Sequence, residues 1–291
     1  MGFLFKILVS MRFLFLILLT FHLISFPALS REYSPLVYHT KLQGDLILVK
    51  LDSLNAFEPT SMSFMESLCP FYKDNDRFVS LCGIDFQARP DNYNLIIYSF
   101  NRIIDLYPIT VIHGNFSDEN LWVNRKFLEF PPEIKKLIEE DREKIKSIFA
   151  APQIEKIFEA DFLYPLHRVH VTSHFGTRRI YNNYVSARHG GIDYRAPTGT
   201  PVIASNSGKV EYTGNHYISG KIIIINHGID IFSNYLHLSE TSVSIGDYVK
   251  KGQVIGRSGA TGRVTGPHLD FRVRINGVNI NPENILNLSH K

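Results

Sequence analysis

Closely spaced turn sequences in the C-terminal half constrain the fold of this chain more than any other feature. Of the 19 glycines in the 291 residues, 15 lie after residue 160. They separate apolar runs that are too short for typical helices, whereas β-strands commonly have this length. Asn276-Gly277 is in addition a strong signal for a β-hairpin turn. The strands predicted by this pattern span residues 200–204, 208–213, 221–227, 230–237, 253–257 and 269–275.

The N-terminal half also contains short strand-like segments. Residues 36–51 are predominantly apolar around a Gly44-Asp45 turn, and residues 78–86, 94–100 and 110–112 follow with turn residues between them. Alternation bounded by turns favours an antiparallel β arrangement. We therefore predict a small β-sandwich-like domain over residues 31–130, with the only tryptophan, Trp122, packed in the core or between domains.

Residues 131–149 have a helical pattern instead. Pro131-Pro132 and Glu133 are typical of a helix start, and apolar residues recur at helical spacing opposite a charged face. Such a helix could dock on a membrane or a partner, or it could pack between two domains. The mixed charges differ from the basic face of a membrane-surface helix and favour packing. We assign residues 131–160 to a helical connector and 161–288 to a C-terminal domain.

Composition and the N-terminal segment limit the cellular context. The chain is 44% hydrophobic and 20% charged, with a net charge of only +3, so we expect a globular protein that does not bind nucleic acid. Lys6 and Arg12 precede an apolar run over 13–26, which Ala28-Leu29-Ser30 follows as a small-residue cleavage pattern. Residues 1–30 are therefore predicted to be a signal peptide or, alternatively, an uncleaved inner-membrane anchor. Both predict an exported protein of the periplasm or cell envelope.

Cys69 and Cys82 are the only two cysteines. In an oxidising compartment they could form a local disulfide, and the alternative is a pair of buried thiols.

Three features of the C-terminal half carry groups suited to metal or acid–base chemistry. His189 and Asp193 are four residues apart and would share one face of an extended chain, with two glycines between them. His268 and Asp270 are two apart and would also share a face. His237 lies between apolar neighbours, where a histidine either packs or has a chemical role.

The order and spacing of these features resemble the lysostaphin/LytM-type zinc endopeptidases, which cut peptide cross-bridges of bacterial peptidoglycan. The resemblance covers residues 163–288. It is carried by residues 173–179 (SHFGTRR), 189–202 (HGGIDYRAPTGTPV), 208–210 (GKV), 226–228 (NHG), 235–239 (YLHLS), 249–256 (VKKGQVIG) and 259–271 (GATGRVTGPHLDF). A looser resemblance over 34–160 is to the β-rich domain and helical connector that precede the catalytic domain in some exported members.

The resemblance implies a mainly β fold, with an antiparallel β-sandwich of the duplicated hybrid motif type and a groove across one sheet. It makes His189 and Asp193 the first two ligands of one Zn2+ per chain, and it places Asp270 at the third ligand position. His237 and His268 correspond to the catalytic pair that does not bind the metal. The implied partner is the peptide cross-bridge of peptidoglycan, and the N-terminal domain could bind an envelope protein.

Asp270 departs from the family pattern, which has a histidine at this position. Zinc accepts a carboxylate oxygen at about the same distance as a histidine nitrogen, roughly 2.0–2.2 Å. Two carboxylates would, however, cancel the ion's charge, lower the acidity of a bound water, and move the preference toward other divalent metals. Asp270 is therefore either a working variant ligand or a sign of an inactive module that binds peptidoglycan or activates a hydrolase. The retention of His189, Asp193, His237 and His268 favours a working site, and a general protease for glycine-rich proteins is a further alternative.

Overall fold

The structure, a computed structural model, describes residues 40–52, 58–123, 125, 128–150, 155–159 and 161–288. These residues belong to one compact unit. In this part of the chain 21 strands and two helices are present, so the prediction of a mainly β protein is confirmed. The predicted signal peptide or anchor, residues 1–30, lies outside the described residues.

The N-terminal region forms a seven-stranded sheet. Its strands are β1 (Thr40–Leu42), β2 (Leu46–Asp52), β3 (Ser61–Phe64), β4 (Ser67–Asp74), β5 (Arg77–Gly83), β6 (Asp91–Ser99) and β7 (Arg102–Ile112), in the order β1-β7-β6-β3-β4-β5-β2. Among the described strands of this sheet, only β1 and β7 pair in parallel. Side chains from β2 and β7, which are far apart in this order, share one apolar core, so the sheet curls around it.

Cys69 on β4 and Cys82 on β5 form a disulfide inside this core, with their Cα atoms 5.7 Å apart. Both residues are fully buried. Of the two alternatives, a disulfide and a pair of buried thiols, the structure contains the disulfide.

The C-terminal region is built on a large antiparallel sheet. The strands of this region are β9 (Val171–Ser173), β10 (Arg178–Tyr181), β11 (Val185–Arg188), β12 (Ile192–Arg195), β13 (Pro201–Ile203), β14 (Gly208–His216), β15 (Gly220–Asn226), β16 (Ile231–Leu238), β17 (Glu240–Thr241), β18 (Tyr248–Val249), β19 (Val254–Arg257), β20 (His268–Ile275) and β21 (Val278–Ile280). The main sheet has the order β18-β14-β15-β16-β20-β12-β9, with β21 beside β20, and β13-β19-β17 form a small second sheet.

One face of the large sheet lies on the main apolar core, which also contains Leu46 and Leu81 from the N-terminal sheet. Alternation along β20 decides which side chains enter it, because successive strand residues face opposite sides. Leu269, Phe271 and Val273 are fully buried in this core. The residues between them therefore lie on the other face of the sheet.

A strand from the N-terminal half is joined to the C-terminal region. Strand β8 (Asp118–Leu121) pairs in parallel with β10, and β10 pairs with β11. Arg178 makes a bidentate ion pair with Asp118, and the Asn182 side chain exchanges two 2.9 Å hydrogen bonds with the backbone of Val123. These contacts hold β8 against the C-terminal region along its length.

The predicted amphipathic helix is present as α1 (Pro132–Ala150). Ile145, Ile148 and Phe149 pack against the face of the large sheet opposite the main core, where the Phe149 ring meets Phe232 edge-on at 5.0 Å. The apolar side of the helix is thus used inside the protein, as the packing interpretation expected. In the described part of the chain, no helix is both long enough and apolar enough to cross a membrane.

Several strand predictions were incomplete and one packing prediction was wrong. The six predicted C-terminal segments all contain strands, but the pattern missed β3, β4 and the short strands β8 to β12, β17, β18 and β21, together with α2 (Glu283–Leu286). Trp122 is 72% exposed and does not pack in a core. It directly follows β8, an edge strand with exposed residues on one side, so an aromatic residue there need not be buried.

His227 is completely buried beside β15 and generates a prediction about acid stability. Its ring bonds to the Ser207 carbonyl at 2.8 Å and to the Ser233 hydroxyl at 2.7 Å, and burial lowers its pKa to about 4. The unfolded chain, with a histidine pKa of about 6.5, therefore binds the additional proton first as the pH falls. We expect this residue to remove about 3 kcal/mol of stability between pH 6.5 and 4.

Urea unfolding of the wild type and His227→Gln at pH 7.5 and pH 4.5 measures this contribution. The variant is expected to lose less stability than the wild type over the same pH interval. The exposed His167→Gln is the control. An equal pH dependence in the wild type and His227→Gln would contradict the prediction.

Candidate metal centre

The five residues selected from the sequence come together at one end of β12 and β20. Asp193 and Asp270 face each other directly in the antiparallel pairing of these strands. His189 Nε2 lies 3.0 Å from Asp193 Oδ1 and 3.5 Å from Asp270 Oδ1. His268 Nε2 is 3.7 Å from Asp193 Oδ1, and the rings of His237 and His268 have centroids 4.9 Å apart.

His189 reaches the two carboxylates from the short connection between β11 and β12 and not from a strand. Residues 189–191 precede β12, and Gly190 and Gly191 pass close against neighbouring atoms. A Cβ on Gly191 would lie 2.5 Å from the Phe271 carbonyl oxygen. The two glycines therefore let the chain bring the imidazole over the β12–β20 pair.

His237 is turned into the site by a β-bulge. On β16 the residues Ser233 and Tyr235 face the core, so strict alternation would place His237 there as well. The pairing of β15 with β16 shifts register beside His237, whose φ angle is +62°. A bulge inserts one residue and re-aims the next side chain, which is how this ring joins the cavity.

All three imidazoles are oriented by a backbone carbonyl. The Nδ1 atoms of His189, His237 and His268 lie 3.2, 2.9 and 2.9 Å from the carbonyl oxygens of His174, Thr261 and Gly266. A carbonyl only accepts, so each Nδ1 carries the proton and each Nε2 presents a lone pair. This is the tautomer that suits a metal ligand or a proton acceptor at Nε2.

Three of these residues fit a metal ion. Ligand atoms of His189, Asp193 and Asp270 all lie within 4.8 Å of one another, and all three residues are buried. Apart from their 3.0 Å approach to each other, His189 Nε2 and Asp193 Oδ1 have no hydrogen-bond partner among the described residues, although both are inaccessible to solvent. Buried polar atoms are normally paired, so this arrangement fits a cation bound between them. One nitrogen and two carboxylate oxygens are ligands that zinc accepts.

The electrostatics of the site are strongly coupled. Burial opposes a charged imidazole, but Asp270 and Asp193 outweigh it and raise the pKa of His189. Burial also disfavours an ionised Asp270, yet Arg272 and His189 hold the pKa of this carboxyl well below its usual range. His237 differs, because burial lowers its pKa to about 4 and leaves the ring neutral near pH 7.

Two arginines that the sequence analysis did not select contact the carboxylates. Arg179 forms a close ion pair with Asp193, and Arg272 donates to both oxygens of Asp270. Arg272 follows Asp270 by two residues on a strand, so their shared face was available as a sequence signal. Arg179 comes from a different sheet, and no local spacing could have linked it to Asp193.

An open cavity of about 260 Å3 leads to the site. One side is formed by the loop Arg263–Pro267 and another by Glu119, Leu121 and Val123 of the segment that contains β8. Glu119 accepts a 3.0 Å hydrogen bond from Ser173 Oγ and lies 3.5 Å from Arg179. The N-terminal half therefore supplies part of the cavity wall.

Residues 187–282 match the family model described as peptidase family M23. The C-terminal region is a peptidase M23 domain. The match includes all five selected residues. It agrees with the resemblance to lysostaphin/LytM-type enzymes derived from the motifs.

Characterised relatives share this domain. The chain is 41% identical over 123 residues to the peptidoglycan DD-endopeptidase ShyC of Vibrio cholerae, an alignment that covers 42% of this chain and 28% of ShyC. It is 41% identical over 121 residues to the DD-carboxypeptidase/endopeptidase Mpg of Neisseria meningitidis, with 42% and 28% covered. The chain thus spans less than a third of the length of these relatives.

A solved structure extends the likeness beyond this domain. A crystal structure from Pseudomonas aeruginosa assigned to peptidase M23 covers 84% of this chain and 94% of its own, with a TM-score of 0.66 and 23% identity. At this identity the likeness concerns the fold alone. It includes much of the N-terminal half as well as the M23 domain.

The tight packing around Gly191 generates a prediction for this site. A methyl group there would also lie 2.7 Å from Asp270 Oδ1 and 2.5 Å from Arg272 Cγ. We expect Gly191→Ala to lower the free energy of unfolding by about 1–3 kcal/mol, the usual range for overpacking. Gly266→Ala is the matched control, because no described atom lies within 4 Å of its Cβ position. Equal stability of the two variants in urea unfolding would contradict the prediction.

Proposed function

We propose that this protein is an exported, metal-dependent endopeptidase that hydrolyses peptide cross-links of bacterial peptidoglycan. The observation that carries the proposal is the convergence of two buried candidate ligand atoms, on His189 and Asp193, with Asp270 and the imidazoles of His237 and His268 in an M23 domain. The names of the relatives, a DD-endopeptidase and a DD-carboxypeptidase/endopeptidase, support the substrate class.

His189, Asp193 and Asp270 would hold the metal, and zinc is the ion that the family suggests and that this donor set accepts. When bound, such an ion polarises a peptide carbonyl and makes water a stronger acid. The assignment of Asp270 as the third ligand rests on its position opposite Asp193 and its 3.5 Å distance from His189 Nε2.

His237 and His268 are proposed to move protons. Both rings present an Nε2 lone pair, because each Nδ1 donates to a backbone carbonyl. A neutral imidazole can accept the proton of the attacking water, and the resulting imidazolium of such a pair can donate to the leaving amine. Their ring centroids are 4.9 Å apart, so both can reach groups bound in the same cavity.

Export is proposed from two observations. Residues 1–30 have the composition of a signal peptide, and Cys69 and Cys82 form a disulfide. Disulfides persist in oxidising compartments such as the periplasm. Binding of an envelope protein by the N-terminal region stays a prediction.

The function is tested with residues 31–291 and isolated peptidoglycan. We expect about one zinc per chain, release of uncrosslinked peptides, and loss of this release with a chelator. Restoration by added zinc separates metal removal from unfolding. A protein that binds peptidoglycan but neither binds metal nor cleaves would be the inactive binding or activating module, and the proposal would be wrong.

The proposed proton transfers predict that His237 and His268 are each needed for cleavage but not for zinc binding. We expect His237→Ala and His268→Ala to lower kcat by about 10²–10⁴-fold, the usual range for a general acid or base, while zinc content is retained. The exposed His170→Ala is the control. Full cleavage by His268→Ala would contradict the role assigned to it.

A further inference from the structure

The carboxylate of Asp270 is held by a single side chain from its own strand. Asp270 is 1% exposed, and Arg272 Nε lies 3.0 Å from Oδ1 and 3.2 Å from Oδ2. Arg272 Nη2 donates to Oδ2 at 2.6 Å. The two residues are neighbours on one face of β20, so the backbone itself brings the guanidinium to the carboxylate.

This contact decides which oxygen of Asp270 faces the other candidate ligands. Oδ2 is engaged by the shortest of the three hydrogen bonds, whereas Oδ1 is the oxygen 3.5 Å from His189 Nε2. A carboxylate oxygen has two lone pairs. Oδ1 can therefore accept from Arg272 and still offer a lone pair to a cation beside His189.

Charge provides a second reason for Arg272 at this place. Asp193 and Asp270 lie directly opposite each other, and like charges in that position repel. Each has its own arginine, because Arg179 pairs with Asp193 and Arg272 pairs with Asp270. A buried carboxylate without a partner is strongly destabilising. A neutral histidine at position 270 would need no such counter-charge.

We propose that Arg272 is a positioning residue for the metal centre and that Asp270 and Arg272 act as one unit in place of a neutral histidine. The inference rests on the proposed metal site. In this unit Asp270 supplies the ligand oxygen through Oδ1, and Arg272 fixes its orientation and offsets its extra negative charge. Replacing Asp270 by histidine alone therefore leaves the Arg272 guanidinium, on a side chain that is 31% exposed, beside a neutral ligand and a metal ion.

Zinc affinity of the full chain after removal of its signal segment tests this unit directly. Arg272→Gln is expected to raise the zinc Kd about 10–100-fold, the usual effect of losing a partner that orients a ligand. Arg272→Lys should recover part of the loss, because lysine keeps the charge but not the two-pronged geometry. Affinity is measured by competition with a chromophoric chelator.

Arg274→Gln is the matched control. Arg274 lies two residues further along the same face of β20, and its guanidinium stacks on Phe149 at 4.7 Å. It carries the same charge on the same strand without contacting Asp270. Its zinc Kd should equal that of the wild type.

A double-mutant cycle separates the unit from two independent residues. Asp270→His alone should bind zinc more weakly than the double variant Asp270→His/Arg272→Gln, because only the double variant lacks the uncompensated positive charge beside the metal site. Unchanged zinc binding by Arg272→Gln would overturn the proposal. Tighter binding would also overturn it and would show that Arg272 opposes the metal. Additive effects in the cycle would also overturn it.

The outcomes distinguish this inference from the proposed function. If the wild type binds zinc but does not cleave peptidoglycan, the proposed function fails, while the Kd series still decides the role of Arg272. If the wild type cleaves and Arg272→Gln keeps its zinc affinity, only the inference fails. A wild type that binds no zinc overturns both. If Arg272→Gln does not fold, the zinc Kd of Arg272→Lys is compared with that of Arg274→Lys, because both variants retain the positive charge.

Discussion

Two carboxylates that face each other across paired strands set the conditions for the rest of the site. Asp193 and Asp270 are fixed by the register of β12 and β20, and neither can turn to solvent because both are buried. Such a pair is stable only with positive charge beside it. The structure provides this charge through Arg179 and Arg272, and it leaves candidate ligand atoms of His189, Asp193 and Asp270 within 4.8 Å of one another.

The large sheet, strand β8 and helix α1 each contribute to this arrangement. The large sheet buries one face in the main core, which holds the strands in register and leaves the alternate residues of β20 on the functional face. The N-terminal half is joined to the same site, because β8 pairs with β10 and supplies Glu119 and Leu121 to the cavity wall. The helix α1 covers another part of the same face through Phe149. Both halves of the chain thus shape the space in which a substrate would lie.

The backbone also fixes the orientation of the three histidine rings. The three rings come from different local structures. His189 lies in the connection before β12, His237 lies on the bulged strand β16, and His268 is the first residue of β20. Each nevertheless donates its Nδ1 proton to a carbonyl. The tautomer of all three rings is therefore set by main-chain geometry, which changes little when side chains nearby are exchanged.

Local sequence patterns determined the type of fold and most of the chemistry. Glycine-bounded apolar runs identified six of the C-terminal strands, and the two-residue spacing placed His268 and Asp270 on one face, because strand alternation is a local property. The motif order identified the M23 domain and its five candidate residues. What only the tertiary structure decided depends on contacts between distant segments. The bulge that turns His237 into the cavity arises from its pairing with β15, and Arg179 meets Asp193 because two sheets adjoin. The exposure of Trp122 and the place of β8 in the cavity wall likewise depend on the pairing of β8 with β10. A local sequence pattern carries no information about which strand is the neighbour of β8.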